Sequence, residues 1–233
     1  MWIEVVYRPT SLFSLKQSSA TNSAAKTLLC PSPYAVKMAL LNAIITYDSL
    51  ETAQKHFNLI KDLEMQFCLS ETISVNNCFL KIKKEKRSES RVDEWDTFQS
   101  TVAFREYVYL DGDLKIAINL QKSDNGDETD LLKRWCTRIN YFGKRGCFFQ
   151  FLGFNPEEIK QLPKEYSKIL NSENLDLDNP NIIFPMDDFG KKTTFDKVNT
   201  YSSSKTDRES KIFLFPYYVS KSNKNFTIYK RYE

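Results

Sequence analysis

Apolar and polar positions alternate from the start of the chain. Ile3, Val5 and Tyr7 fall on one side and Trp2, Glu4, Val6 and Arg8 on the other, the two-residue period of a β-strand. The polar stretch 9–30, rich in Ser, Thr, Asn and Lys, predicts a loop. Ser32-Pro33 then supplies an N-cap and a first-turn proline for a helix over 34–47, whose nearly continuous apolar character predicts burial on most sides. Asp48 and Glu51 stand in capping-box spacing before a second helix, with Leu50, Ala53, Phe57, Ile60 and Leu63 on its apolar face. β-Branched and aromatic residues over 66–84 predict strand, running into 83–91, where nothing apolar offers a surface to bury and a mobile, solvated loop is expected. Residues 104–110 and 114–120 flank Asp111-Gly112 and predict a β-hairpin. A helix over about 128–140 would turn Leu131, Trp135 and Ile139 inward and Arg134 and Arg138 outward, and the turn Gly143-Lys144-Arg145-Gly146 leads into a strand over 147–154.

This order of elements predicts an α+β chain with a ferredoxin-like β-α-β-β-α-β core carrying insertions. Beyond Pro156 glycines are few and short aromatic segments sit between polar loops, which predicts a smaller, partly irregular C-terminal lobe. The expected division is therefore 1–155 and 156–233. A chain of 233 residues, 41% hydrophobic, is long enough to bury a core without staples. Its five cysteines are odd in number, widely spaced and form no C-x-x-C pair, which favours neither a disulfide framework nor zinc and suits a reducing compartment. The opening reads as a strand rather than a signal peptide, and no apolar run of about 18 residues occurs, so a cytoplasmic protein is expected.

Net charge is only +3, but the charges are sorted along the chain. Only Arg8, Lys16, Lys26 and Lys37 are charged between Glu4 and Asp48, and only Lys133, Arg134, Arg138, Lys144 and Arg145 between Asp130 and Glu157. Residues 81–91 form a third basic block, whereas 171–189 and 124–130 are acidic. Such sorting suits one face built for phosphates. The Gly143-Lys144-Arg145-Gly146 turn would let backbone and two cations approach a phosphate, or would simply close a helix end. The strand after it has aromatics on both faces, for base stacking or for core. Arg105, Tyr107 and Tyr109 share a strand face that suits single-stranded RNA or an ordinary polar surface. Asp187-Asp188 and Asp111 with Asp113 are surface acids or a hard-cation site. His56 is the one histidine, on the flank of a helix, and reads as structural. The chain lacks G-x-S-x-G, H-E-x-x-H, a Walker loop and G-x-G-x-x-G, so no cofactor or metal is expected.

Four stretches taken together resemble the CRISPR-associated Cas-five family of RAMP proteins: the first strand with the proline-led segment 30–41, the segment 104–107, the run 114–120, and 141–149. The resemblance covers roughly the first 155 residues. It implies an RRM-like domain that grips the 5′ handle of a CRISPR RNA within a type I Cascade complex, with a thumb-like insertion at about 81–102. It also implies contacts to the large and backbone subunits, with target DNA near the protospacer-adjacent motif as a further partner. On that resemblance the RNA-binding set is Arg8, Lys26, Tyr34, Lys83, Lys84, Lys86, Arg87, Arg105, Tyr107, Gly143, Lys144, Arg145 and Gly146. The flavour of the sequence is similar to type I-B-like and transposon-associated members. One departure is that no glycine follows Gly190, whereas many RAMP relatives carry a late glycine-rich loop.

The leading expectation is a non-catalytic RNA-binding subunit. The alternatives are a metal-independent endoribonuclease using a tyrosine, a lysine or His56 on a 2′-hydroxyl, and a scaffold whose basic blocks are plain solvated faces.

Overall fold

The computed structural model of the chain describes residues 1–20, 24–85, 98–120, 127–155, 159–170, 181–198 and 206–232. The alternating start forms β1 (Trp2–Pro9). Within the polar stretch that follows lie three two-residue strands, β2 (Leu15–Lys16), β3 (Ala24–Ala25) and β4 (Thr27–Leu28). Helix α1 (Pro33–Tyr47) starts where the sequence predicts, with the Ser32 hydroxyl accepting from the Ala35 amide and Pro33 in the first turn. The second predicted helix is two short ones, α2 (Leu50–Lys55) and α3 (Phe57–Asp62), separated at His56.

The cap of α2 is Ser49, whose hydroxyl accepts from the Thr52 amide at 3.0 Å, rather than the expected Asp48. Asp48 is drawn away by stronger donors: Trp135 Nε1 and Arg138 each reach it at 2.8 Å and Arg134 at 3.1 Å. Those bonds, the one from Trp135 foremost, hold its carboxyl below the usual carboxylate range.

The remaining elements are β5 (Glu64–Cys68), β6 (Thr72–Glu85), β7 (Phe98–Leu110), β8 (Leu114–Asn119), α4 (Asp127–Cys136), β9 (Phe149–Phe154), β10 (Lys168–Ile169), β11 (Ile182–Phe189), a 3-10 turn at Phe195–Val198, β12 (Arg208–Phe215), β13 (Tyr217–Ser222) and β14 (Phe226–Arg231). The sheets are mostly antiparallel. A four-stranded sheet has the order β5-β8-β1-β9, with helices crossing over between β1 and β5 and between β8 and β9. Between β5 and β8 the chain leaves this sheet for a long hairpin, β6 with β7, paired from Ile73 and Leu110 to Glu85 and Phe98. That hairpin is the centre of a second sheet, β13-β14-β6-β7-β3, and a third sheet has the order β10-β12-β11.

Two expectations need correcting. The strands on either side of Asp111-Gly112 do not pair with each other: β7 pairs with β6 and β3, while β8 is held between β1 and β5. Both edges of β8 are used in the central sheet, and its Leu114, Ile116, Ala117 and Ile118 are fully buried, so the turn joins two sheets instead of closing a hairpin. Nor are Lys83 and Lys84 in a loop. They are strand residues opposite Ser100 and Gln99, while Lys86 and Arg87 lie outside the described residues.

Strands from either side of the 155/156 boundary share one hydrophobic cluster, which runs from Ile3, Val5 and Tyr7 through Leu40, Ile44 and Trp135 to Met186, Phe213 and Tyr217. Inside it sits an ion pair. Lys37, 1% exposed in the middle of apolar α1, reaches Asp188 of β11 at 2.6 Å and the Lys61 carbonyl at 2.7 Å; Lys211 of β12 meets the other oxygen of Asp188 at 2.9 Å. Lys37, counted among phosphate-facing cations on sequence grounds, thus ties α1 to β11 and β12. Among the described residues no helix is long and apolar enough to cross a membrane.

Candidate nucleic-acid interface

The turn after α4 is built from two glycines with positive φ, +70° at Gly143 and +99° at Gly146. Phe142 and Cys147 close it through a 3.2 Å backbone bond, so Gly143 to Gly146 project outward as a tight loop. Gly143 lies directly on β2, where a Cβ would meet Leu15 Cδ2 at 2.8 Å. β2 is itself fixed by its pairing with β4 and by the Thr27 hydroxyl, which accepts from the Leu15 amide at 2.9 Å. Lys16 of β2 and Lys144 of the turn border a common space.

A cleft of about 280 Å³ opens there. Ser14, Lys16 and Ser18 line one wall, Ser32, Tyr34 and Ala35 of the α1 start the second, and Gly143 with Lys144 the third. Pro185, Asp187 and Arg208, from β11 and β12, close it. The electropositive end of α1 and the cations of three segments converge on this space. Arg208 lies over the Tyr34 ring, 4.0 Å from its centroid, and Asp187 accepts from Arg208 at 3.3 Å and from the Ser18 hydroxyl at 3.0 Å. Gly143→Ala should strain the positive φ and push the loop off Leu15, costing about 1–3 kcal/mol in chemical denaturation.

The predicted site residues divide by what they touch. Arg8 is engaged bidentately by Asp113, at 2.7 and 3.2 Å, and Lys26 by Glu106 at 2.5 Å. The side chains of Lys144 and Arg145 are exposed and make no hydrogen bond or ion pair with another described residue. Tyr34, Gly143 and Lys144 come together in the cleft, with Arg145 and Gly146 next to it in the same turn. Lys83, Lys84, Arg105 and Tyr107 belong instead to the hairpin. There Phe79 and Phe104 form an exposed edge-to-face pair, and Lys81 and Lys83 share their face by strand alternation. Arg105, on the opposite face with Tyr107, has a buried Nε without a hydrogen-bond partner.

The aromatic strand after the glycine turn is core rather than a stacking surface. Phe149 packs on Phe13 and Phe142, and Phe151 on Tyr7 and Phe154, leaving Phe148 exposed. The sheet face away from the helices is covered as well. Tyr166 sits on Cys68 and Ala117, with Trp2 and Leu162 beside it, and donates to the buried carboxylate of Glu4. Burial and that carboxylate push the Tyr166 hydroxyl pKa well up.

The acid pairs also have protein partners: Asp113 has Arg8, Asp187 has Arg208 and Ser18, and Asp188 has Lys37 and Lys211. His56 packs edge-on against Trp135, away from the cleft, and burial lowers its pKa. Sequence reasoning missed Ser18 and Arg208, and named Lys16 only as one of the sorted basic residues between Glu4 and Asp48. Nothing local marks them, because the cleft is assembled from strands far apart in the chain.

No protein-family profile matches the chain. A curated relative, "CRISPR-associated protein Cas5" of Archaeoglobus fulgidus, is 25% identical, and the match covers 96% of this chain and 96% of the relative. Similar solved structures include a chain of a "CRISPR RNA-guided surveillance complex", with TM-score 0.44, 14% identity, 92% of this chain and 89% of that one. A "CRISPR protein from Archaeoglobus fulgidus" gives TM-score 0.45 and 10% identity over 100% of this chain and 92% of that one. A chain of a "Type III-B Cmr-beta bound to cognate target RNA" gives TM-score 0.44 and 12% identity over 97% and 86%.

Proposed function

We propose that the chain is a member of the Cas5 family of CRISPR-associated proteins and, on that premise, a non-catalytic subunit of a CRISPR RNA-guided effector complex that holds the 5′ handle of the CRISPR RNA. The observation that carries this reading is the contrast among the basic residues. Arg8, Lys26, Lys37, Arg134 and Arg138 are spent on carboxylates of the protein, whereas Lys144 and Arg145 stand free on a two-glycine turn at the rim of a cleft that also holds Tyr34. Free cations on a rigid turn are what a phosphate backbone needs.

The strand order β5-β8-β1-β9, with its two helical crossovers, supports a ferredoxin-like, RRM-like core. Because Tyr166 covers the sheet face, the handle lies along the end of the sheet at the glycine turn and not across the strands. The β6–β7 hairpin is the thumb-like insertion, and its Phe79, Phe104, Lys81 and Lys83 serve RNA or the neighbouring backbone subunit. Contacts to the large subunit belong to the same reading. His56 does not line the cleft, whereas Tyr34 and Lys144 do, so the endoribonuclease alternative would have to work through a tyrosine or a lysine.

The test is to tag the chain, express it with its neighbouring genes and a repeat array, and sequence the RNA that co-purifies. RNAs sharing one fixed repeat-derived 5′ end are expected. Heterogeneous or absent RNA would overturn the assignment. Specific cleavage of repeat RNA by the purified chain in EDTA would overturn the non-catalytic part of it.

A further inference from the structure

Arg208 lies in a part of the chain that the sequence gives no reason to connect with RNA, yet it lines the cleft. Its guanidinium is 4.0 Å from the centroid of the Tyr34 ring, and its side chain remains 48% exposed. Arg208 NH1 is bonded to Asp187 Oδ2 at 3.3 Å, and Asp187 is steadied from the other side by the Ser18 hydroxyl. A planar cation is thus held over an aromatic ring.

The charge balance decides what such a group binds. With Asp187 beside it, Arg208 is locally neutralised, and a phosphate placed there would meet the carboxylate as well as the guanidinium. Stacking on a guanidinium plane needs no net charge, and base–aromatic and base–arginine stacking is the usual way unpaired RNA bases are held. The cleft, about 280 Å³, lies at the small end of ligand sites and suits one base rather than a longer segment. Lys144, whose side chain has no partner among the described residues, lines the same cleft and is available for an adjoining phosphate.

We propose that Arg208, layered on Tyr34 and held by Asp187, is a stacking platform for one unpaired base of single-stranded RNA, with Lys144 on the phosphate next to it. This rests on the RNA-binding reading above and adds to it a base subsite contributed by β11 and β12. Arg208 and Tyr34 are binding residues, and Asp187 is a positioning residue.

The experiment measures binding of the purified full chain to a short single-stranded RNA taken from the repeat and to its singly abasic versions. Wild type, Arg208→Lys and Arg208→Ala are compared at fixed salt. Arg208→Lys keeps the charge but loses the plane. Both variants should lose roughly tenfold in affinity for the intact RNA. At one abasic position wild type should lose the same factor, and there the variants should lose nothing more. A lysine variant that binds intact RNA like wild type would overturn the proposal in favour of a phosphate contact. A loss equal at every abasic position would overturn it too, because the residue would then have no base as its partner. If wild type binds none of the RNAs, the handle-binding reading itself falls, a result separate from either of these.

Discussion

Replacing Lys144 and Arg145 together by alanine is expected to abolish retention of RNA by the chain under washing at moderate salt. Each cation stands for one charge-assisted contact of roughly 1.5 kcal/mol, so the pair corresponds to about a hundredfold in affinity. The sharper readout is the salt dependence. Each lost phosphate contact on a single strand removes about 0.7 from the slope of log affinity against log salt, so the double variant should be shallower by roughly 1.4. Its thermal unfolding should stay within the scatter of ordinary surface substitutions, about 0.5 kcal/mol, because both residues are exposed and neither side chain bonds to another described residue. RNA retention equal to wild type with an unchanged slope would make the turn an ordinary solvated surface turn and favour the scaffold alternative.

The double variant also separates the turn from the platform. Lys144 and Arg145 act through charge and should weaken all single-stranded RNAs alike, whereas Arg208 acts through a plane and should be felt at one base. A shallower salt slope without a change in the abasic pattern belongs to the turn. The reverse belongs to Arg208.

What the sequence made legible follows from where its signals are local. The cap of α1 is written in three adjacent residues, Ser32, Pro33 and Tyr34, and the helix starts there. The glycine turn is likewise legible, since its positive-φ positions fall on Gly143 and Gly146. Signals that depend on distant partners were misread. Residues 104–110 and 114–120 both alternate around Asp-Gly, but alternation says which face a strand buries and nothing about which strand it pairs with. The partner of β7 is β6, across 86–97, a charged stretch with no turn signature. The edges of β8 are taken by β1 and β5, which are remote in sequence, and Ala117 on its face away from the helices is covered by the equally remote Tyr166. In the cleft, Tyr34 and Lys144 were legible because each sits in a marked local feature. Asp187 and Arg208 were not, since they meet only through the register of β11 with β12.

Lys37 carried a signal of a different kind. A helix predicted to be apolar on nearly every side leaves no solvent for the lysine in its middle, so that residue needs a buried anion, and the structure supplies Asp188. Asp188→Asn removes the countercharge and leaves the ammonium among apolar neighbours with the Lys61 carbonyl as acceptor. The expected loss is about 3–5 kcal/mol in urea denaturation near neutral pH, the scale for breaking a buried pair from one side.

Its pH dependence should be distinctive. Burial already lowers the pKa of Lys37, outweighing the attraction of Asp188, and without that carboxylate it falls further. Between its lowered folded value and the ordinary lysine value of about 10.4, the unfolded chain binds the proton that the folded chain has released, so stability rises with pH across that window. The window is wider in the variant than in wild type. The gap between them should therefore narrow as pH rises from neutral into the alkaline range, as Lys37 becomes a neutral donor to the Lys61 carbonyl. A gap that stays constant or widens with pH would mean that the loss comes from the Asp188 bonds to Lys211 and the Phe189 amide, and that Lys37 is not the group that suffers.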